Sequence, residues 1–148
     1  MYNWIKGGVA ILTAKMEDGQ LIVLTPEFKR DQLRKWQRSI VFFCPQCSLP
    51  VQLKVGDIMI PHFAHQKGDA CTSTFSEGES KAHLQGKQQL YLFLKKQIKE
   101  VTLEPFLNRL SQRPDLLAIT PFGTIPIEFQ CSTSVKTRLS LASPYRVR

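Results

Sequence analysis

Two β-rich apolar runs open the chain, Val9 to Ala14 and Leu21 to Leu24, on either side of Met16-Glu17-Asp18-Gly19-Gln20. Asp-Gly between such runs predicts a β-hairpin. The charged stretch Phe28 to Arg38 follows, with the spacing of a short helix. An apolar run, Ile40 to Phe43, then leads to Val51–Lys54, Gly56-Asp57 and Ile58–Ile60, which predict a second hairpin. Ser76-Glu77-Gly78-Glu79 has the form of a capping box, and Leu84, Tyr91, Leu94 and Ile98 recur at helical spacing with Leu90 beside them. Together they predict a helix from about Glu77 to the Gln97–Lys99 region, packed through that stripe. Val101 to Glu104 predicts the first strand of a sheet, and Arg109 to Arg113 its connection onward.

The last hairpin carries the most chemistry. Leu116 to Ile119 runs into Thr120-Pro121-Phe122-Gly123, with Pro second and Gly fourth as in a type I turn with a bulged glycine. A strand from Ile125 to Cys131 returns. Pairing back from the turn sets Asp115 opposite Glu128, within a residue or so. Side chains alternate along a strand, so Glu128 and Gln130 share one face, and Ile127, Phe129 and Cys131 share the other. Two carboxylates and an amide then gather on one face, an oxygen-rich arrangement that suits Mg²⁺. Taken singly, Asp115 also reads as a turn residue and Glu128 as a solvated strand residue. Pro126 cannot donate to a ladder, which puts its strand at an edge or at a bulge.

Cys44-Pro45-Gln46-Cys47 and His62-Phe63-Ala64-His65 form a CxxC and an HxxH pair separated by the second hairpin. Two thiolates and two imidazoles brought together suit a four-coordinate structural Zn²⁺ with no open position. Cys71, just downstream, is an alternative donor for one of the histidines. Buried thiols beside hydrogen-bonded imidazoles are the plainer reading. On the helix, Glu79, His83 and Lys87 fall at i, i+4 and i+8, a polar stripe presenting an acid, an imidazole and an amine. Each alone reads as a cap or a surface residue; the acids on the hairpin make the stripe informative.

Composition narrows the class. The 148 residues are 43% hydrophobic and 22% charged, which indicates a globular domain, with or without a small zinc-type insertion. Lys and Arg number 20 against 12 acids, a net charge of +8 that suits a polyanion, nucleic acid ahead of membrane. No apolar run reaches bilayer length and the N-terminus lacks a signal-peptide layout, so the expectation is a cytoplasmic protein with no membrane partner. In that compartment its cysteines are thiols or metal ligands.

Cys-Pro-x-Cys, Pro-His-Phe-Ala-His, Gly-Glu-Ser-x-x-His-x-x-x-Lys, Arg-Pro-Asp and Ile-Glu-Phe-Gln-Cys-Ser, in this order over about residues 8 to 134, resemble the competence protein CoiA family. The resemblance implies an α/β (α+β) fold. A restriction-endonuclease-like core of the PD-(D/E)xK type over 73–148 would follow a β-hairpin and zinc-ribbon-like segment over 1–72. It implies DNA as partner, single- or double-stranded, in transformation, with recombination proteins as candidate partners. The implied activity is Mg²⁺- or Mn²⁺-dependent phosphodiester hydrolysis, with Glu79, Asp115 and Glu128 as metal ligands. Gln130 stands where the family superfold has lysine. A neutral amide orients water but does not act as a base, so Lys87 or His83 would supply that function. The segment Leu139 to Arg148 departs from the family pattern, implying a core incomplete at its C-terminus. That departure and Gln130 favour the alternative of a non-catalytic DNA-binding or partner-docking module; a zinc-stabilised scaffold is a third reading.

Overall fold

The computed structural model describes residues 10–66, 71, 80–110 and 112–130. The architecture is mixed α and β, as expected, and forms two compact units, Met1–Lys81 and Ala82–Arg148. In the first unit, β1 (Ala10–Ile11), β2 (Thr13–Lys15), β3 (Leu21–Val23), β4 (Phe42–Phe43), β5 (Pro50–Lys54) and β6 (His62–His65) make one antiparallel sheet, with α1 (Arg30–Ser39) between β3 and β4. The strand order is β1-β6-β5-β4-β2-β3. Only Leu12 separates β1 from β2 in the chain, yet β1 ends the order at one edge while β2 is second from the other. The sheet therefore curls until the two meet, with fully buried Leu12 at the corner. Ile11, Phe42, Leu53 and Phe63 fill the inside, and the Phe42 and Phe63 rings lie 5.0 Å apart. Removing either ring would cost about 3–5 kcal/mol.

The first hairpin forms in the expected place, Thr13 pairing with Val23 and Lys15 with Leu21. Gly19 takes φ 82°, the left-handed conformation that the Asp-Gly turn requires. On α1, Leu33 is buried and Gln37 donates to the Leu53 carbonyl at 2.9 Å. Lys29, Arg30, Arg34, Lys35 and Arg38 are exposed. The second hairpin departs from expectation. The partner of β5 is His62–His65, from Lys54↔His62 to Val51↔His65, and Ile58–Ile60 belong to the connection. That register buries Phe63 against Leu53, whereas Ile58 is left in solvent.

The second unit holds α2 (Lys81–Lys95) and an antiparallel sheet of β7 (Glu100–Leu103), β8 (Leu116–Thr120) and β9 (Gly123–Ile127), in that order. The helix starts later than the expected Glu77: Ser80 is not helical, and Ser76 to Glu79 lie outside the described residues. Ser80 is of the type favoured just before a helix. Its buried face is Leu84, Lys87, Gln88 and Tyr91. The β8–β9 hairpin turns at Pro121-Phe122, with Gly123 at φ 132° and Thr120 Oγ1 donating to the Gly123 carbonyl. Pro126 lies on β9, an edge of this sheet among the described residues, where its missing donor is tolerated. The strand leaves the ladder at Ile127, earlier than expected, and Cys131 lies outside the described residues. No described helix is long and apolar enough to cross a membrane.

Candidate functional site

The CxxC turn sits between β4 and β5. Ser48 N–H donates to the Cys44 carbonyl at 2.9 Å, with Ser48 at φ 61°, and Gln46 N–H points at Cys44 Sγ at 3.4 Å. Cys44, Cys47, His65 and Cys71 bring one donor atom each within 4.8 Å of one another. Cys44 Sγ lies 4.0 Å from Cys71 Sγ, and Cys47 Sγ lies 3.4 Å from His65 Nε2. A tetrahedral zinc with bonds of about 2.3 Å to sulfur and about 2.0 Å to nitrogen needs separations of about 3.8 Å and 3.5 Å. The donors fit. Burial and the adjacent Cys71 and Cys44 thiols, working against a Leu49 backbone contact, push the Cys47 thiol up to about 12 in the metal-free chain. A divalent cation would offset that crowding of sulfur.

His62 is not in this cluster, so the expected Cys44, Cys47, His62, His65 set is corrected to one in which Cys71 takes the place of His62. The reason is periodicity. HxxH lies on β6, where residues three apart point to opposite faces, and only His65 faces the thiols. His62 instead makes a 2.8 Å contact from Nδ1 to the Ile60 carbonyl.

In the second unit, sheet register lines up three acids. Leu103 pairs with Leu116, and Leu116 with Ile127, so Glu104, Asp115 and Glu128 stand one step beyond, side by side at the ends of three strands. Glu104 N–H donates to the Asp115 carbonyl at 2.7 Å. Asp115 Oδ2 accepts the Phe129 N–H at 2.7 Å, while Oδ1 lies 3.5 Å from His83 Nε2 and 3.6 Å from Lys87 Nζ. The Phe129 ring packs edge-on to His83 and lies against Gly86, where a Cβ would collide with it. Glycine at this point of α2 thus lets the end of the hairpin lie close on the helix.

Lys87 is 1% exposed and also faces Glu104 Oε1 at 3.8 Å. The other Glu104 oxygen takes a 2.7 Å hydrogen bond from Arg113, whose Nε donates to the Glu104 carbonyl. Arg113 is therefore engaged inward, on Glu104. Gln130 is exposed and makes no hydrogen bond or ion pair among the described residues, and Glu79 lies outside them.

Burial works to raise the Asp115 pKa, but His83, Lys87 and the Phe129 N–H outweigh it and hold the carboxyl below its usual value. Glu128 goes the other way. Partial burial, then the Asp115 charge and a carboxyl–carboxyl hydrogen bond, push it up to about 7. Its side chain stays open to solvent on one side, so the neighbouring charge is the cause with most structural weight. The sign for stability follows: a carboxyl raised from 4.5 to about 7 destabilises the fold as pH rises through that interval. Metal-free protein should lose stability between those pH values, and Glu128→Gln should flatten that slope in thermal melts taken against pH. Asp115 contributes in the opposite sense, its stabilisation being lost below its ordinary value in acid.

Asp115 and Glu128 are thus two adjacent carboxylates, one ionised and one held back by its neighbour, able to accept a hard divalent cation. Among the described residues, the group of three or more such donors able to hold a metal ion is the Cys/His cluster, and it does not include this pair. Glu104 went unnoticed in the sequence as a site residue. The available signal was Lys87, three residues after Leu84 and four before Tyr91 on the apolar stripe, which requires a buried anion nearby.

One unit carries a Cys/His cluster that could hold a metal ion, and the other sets a helix against paired carboxylates at the end of a hairpin. The competence protein CoiA N-terminal domain matches residues 25–74, and the competence protein CoiA nuclease-like domain matches residues 79–140. Competence protein CoiA of Bacillus subtilis (strain 168) is 41% identical over 92 residues, 62% of this chain. That match spans 24% of the relative's length. No solved structure matches. The chain belongs to the competence protein CoiA family.

Proposed function

We propose that the second unit is a Mg²⁺- or Mn²⁺-dependent deoxyribonuclease site acting in transformation, and that the first unit is held by a structural Zn²⁺ on Cys44, Cys47, His65 and Cys71. The observation that carries the nuclease reading is the pairing of the Asp115 and Glu128 carboxylates beside His83 and Lys87. Asp115 and Glu128 would hold the cation, with Glu79 as a further ligand. When bound, such a cation polarises a phosphodiester and lowers the pKa of a water.

The chain's own groups divide the rest. Lys87 is too buried to reach a substrate; it fixes the charge and orientation of Asp115. His83, partly exposed and 3.5 Å from Asp115, takes or donates the proton at Nε2. Gln130, exposed, orients water through its amide. The basic outer face of α1 neutralises DNA phosphates with strong salt dependence and little sequence preference.

Incubation with single- and double-stranded DNA plus Mg²⁺ or Mn²⁺, beside an Asp115→Ala control, tests this. Cleavage should fall by at least about 100-fold in the control, the scale of losing a principal catalytic group. Equal cleavage by both proteins would defeat the nuclease reading. Salt-sensitive DNA binding with no cleavage would instead favour a non-catalytic docking module, the reading that Gln130 in place of lysine supports.

A further inference from the structure

We propose that Glu104 is a positioning residue for the acidic pair: it shares Lys87 with Asp115 and so keeps the ammonium from closing on the carboxylate that takes the cation. The inference rests on the reading of Asp115 and Glu128 as cation ligands, and adds to it the residue that keeps the site open.

Glu104 is unsuited to ligation itself. It is buried, with Oε2 taken by Arg113 at 2.7 Å and Oε1 facing Lys87 at 3.8 Å. Its backbone is held in an unusual state, φ 53° in a residue with a side chain, a strained left-handed conformation. That conformation lets Glu104 N–H bond the Asp115 carbonyl while its carboxylate turns to Lys87 and Arg113. The backbone bond ties the positions of the two acids together.

Among the described residues, Lys87 faces two anions at nearly equal distance, 3.6 Å to Asp115 and 3.8 Å to Glu104. Neither contact is the closed ion pair of about 2.8 Å that a single partner allows. Glu104 therefore pulls the ammonium back from Asp115 by its own charge. Arg113, contributing the second cation, keeps that buried anion from being left with Lys87 alone. Neutralising Glu104 would let Lys87 close on Asp115 and compete with a divalent ion for the same oxygen.

Mn²⁺ binding to zinc-loaded protein, read by electron paramagnetic resonance and calorimetry, tests this without turnover. Four proteins are needed: the parent, Glu104→Gln, Lys87→Met and the double variant. Glu104→Gln should weaken Mn²⁺ binding by about 10- to 100-fold, as loss of an outer partner does at metal sites. Lys87→Met removes the ammonium together with its hold on Asp115 and so sets its own baseline, and adding Glu104→Gln to it should change binding little. Parent-like affinity in Glu104→Gln overturns the proposal. So does an equal loss in the Lys87→Met background, which would mean that Glu104 acts without Lys87. Should Glu104→Gln alone fail to fold, comparison of Lys87→Met with the double variant decides, because both remove the competing ammonium. Mn²⁺ binding that is unchanged by Asp115→Asn would instead sink the cation-site reading beneath the proposal.

Discussion

Cys71→Ser is expected to strip the chain of zinc and to abolish the cooperative melting of its first unit. Metal content should drop from about one zinc per chain to near zero, because a serine hydroxyl is a poor fourth donor where tetrahedral sites use sulfur and nitrogen. His62→Ala should keep its zinc, since His62 bonds toward the Ile60 carbonyl and stands outside the cluster. The effect is large because metal binding at such a site is folding free energy, apparent values running to about 10–16 kcal/mol in small zinc domains. Here the ligands come from the β4–β5 turn, from β6 and from Cys71, so the ion would cross-link stretches that share a small curled sheet. Metal analysis and circular-dichroism melts check both variants. Full zinc in Cys71→Ser together with loss in His62→Ala would return the ligand set to the HxxH pair.

The Cys/His cluster shows where the sequence can be read and where it misleads. CxxC is local: a turn fixes its geometry, and both thiols arrive where the spacing puts them. HxxH depends on the element that carries it. On a helix or turn it converges, but on β6 the two imidazoles diverge, and a run as short as Pro61 to His65 does not announce which applies. The β8–β9 hairpin was legible because Thr-Pro-Phe-Gly fixes the register, and counting back from it brings Asp115 to Glu128. The helix was legible by its stripe but not at its start, since the S-x-x-E signature precedes Ser80, which is outside the helix. Lys87 was read as surface because it is charged, although its position between Leu84 and Tyr91 places it inward. Glu104 was out of reach of local pattern altogether: its role depends on a backbone twist and on Arg113 nine residues later.

Lys87→Ala should destabilise the second unit by about 3–5 kcal/mol, the scale of leaving buried charges without their partner. The ammonium is within 4 Å of two acids whose side chains are nearly closed to solvent, 3% for Glu104 and 11% for Asp115. Arg113 and His83 remain, but Arg113 is bonded to Glu104 and His83 is charged only when protonated. Asp115 would lose its permanent cation while keeping the burial that raises its pKa, so its carboxyl should shift upward in the variant. The loss should therefore shrink as pH falls and Asp115 takes up a proton. Neutralising Glu104 as well should recover part of the stability, since a buried pair replaced by uncharged groups costs far less than a broken one. Denaturant melts of the single and double variants across pH measure all three effects. A Lys87→Ala protein melting within about 0.5 kcal/mol of the parent would place Lys87 among surface substitutions, and the buried charge network would then contribute nothing to holding Asp115 in place.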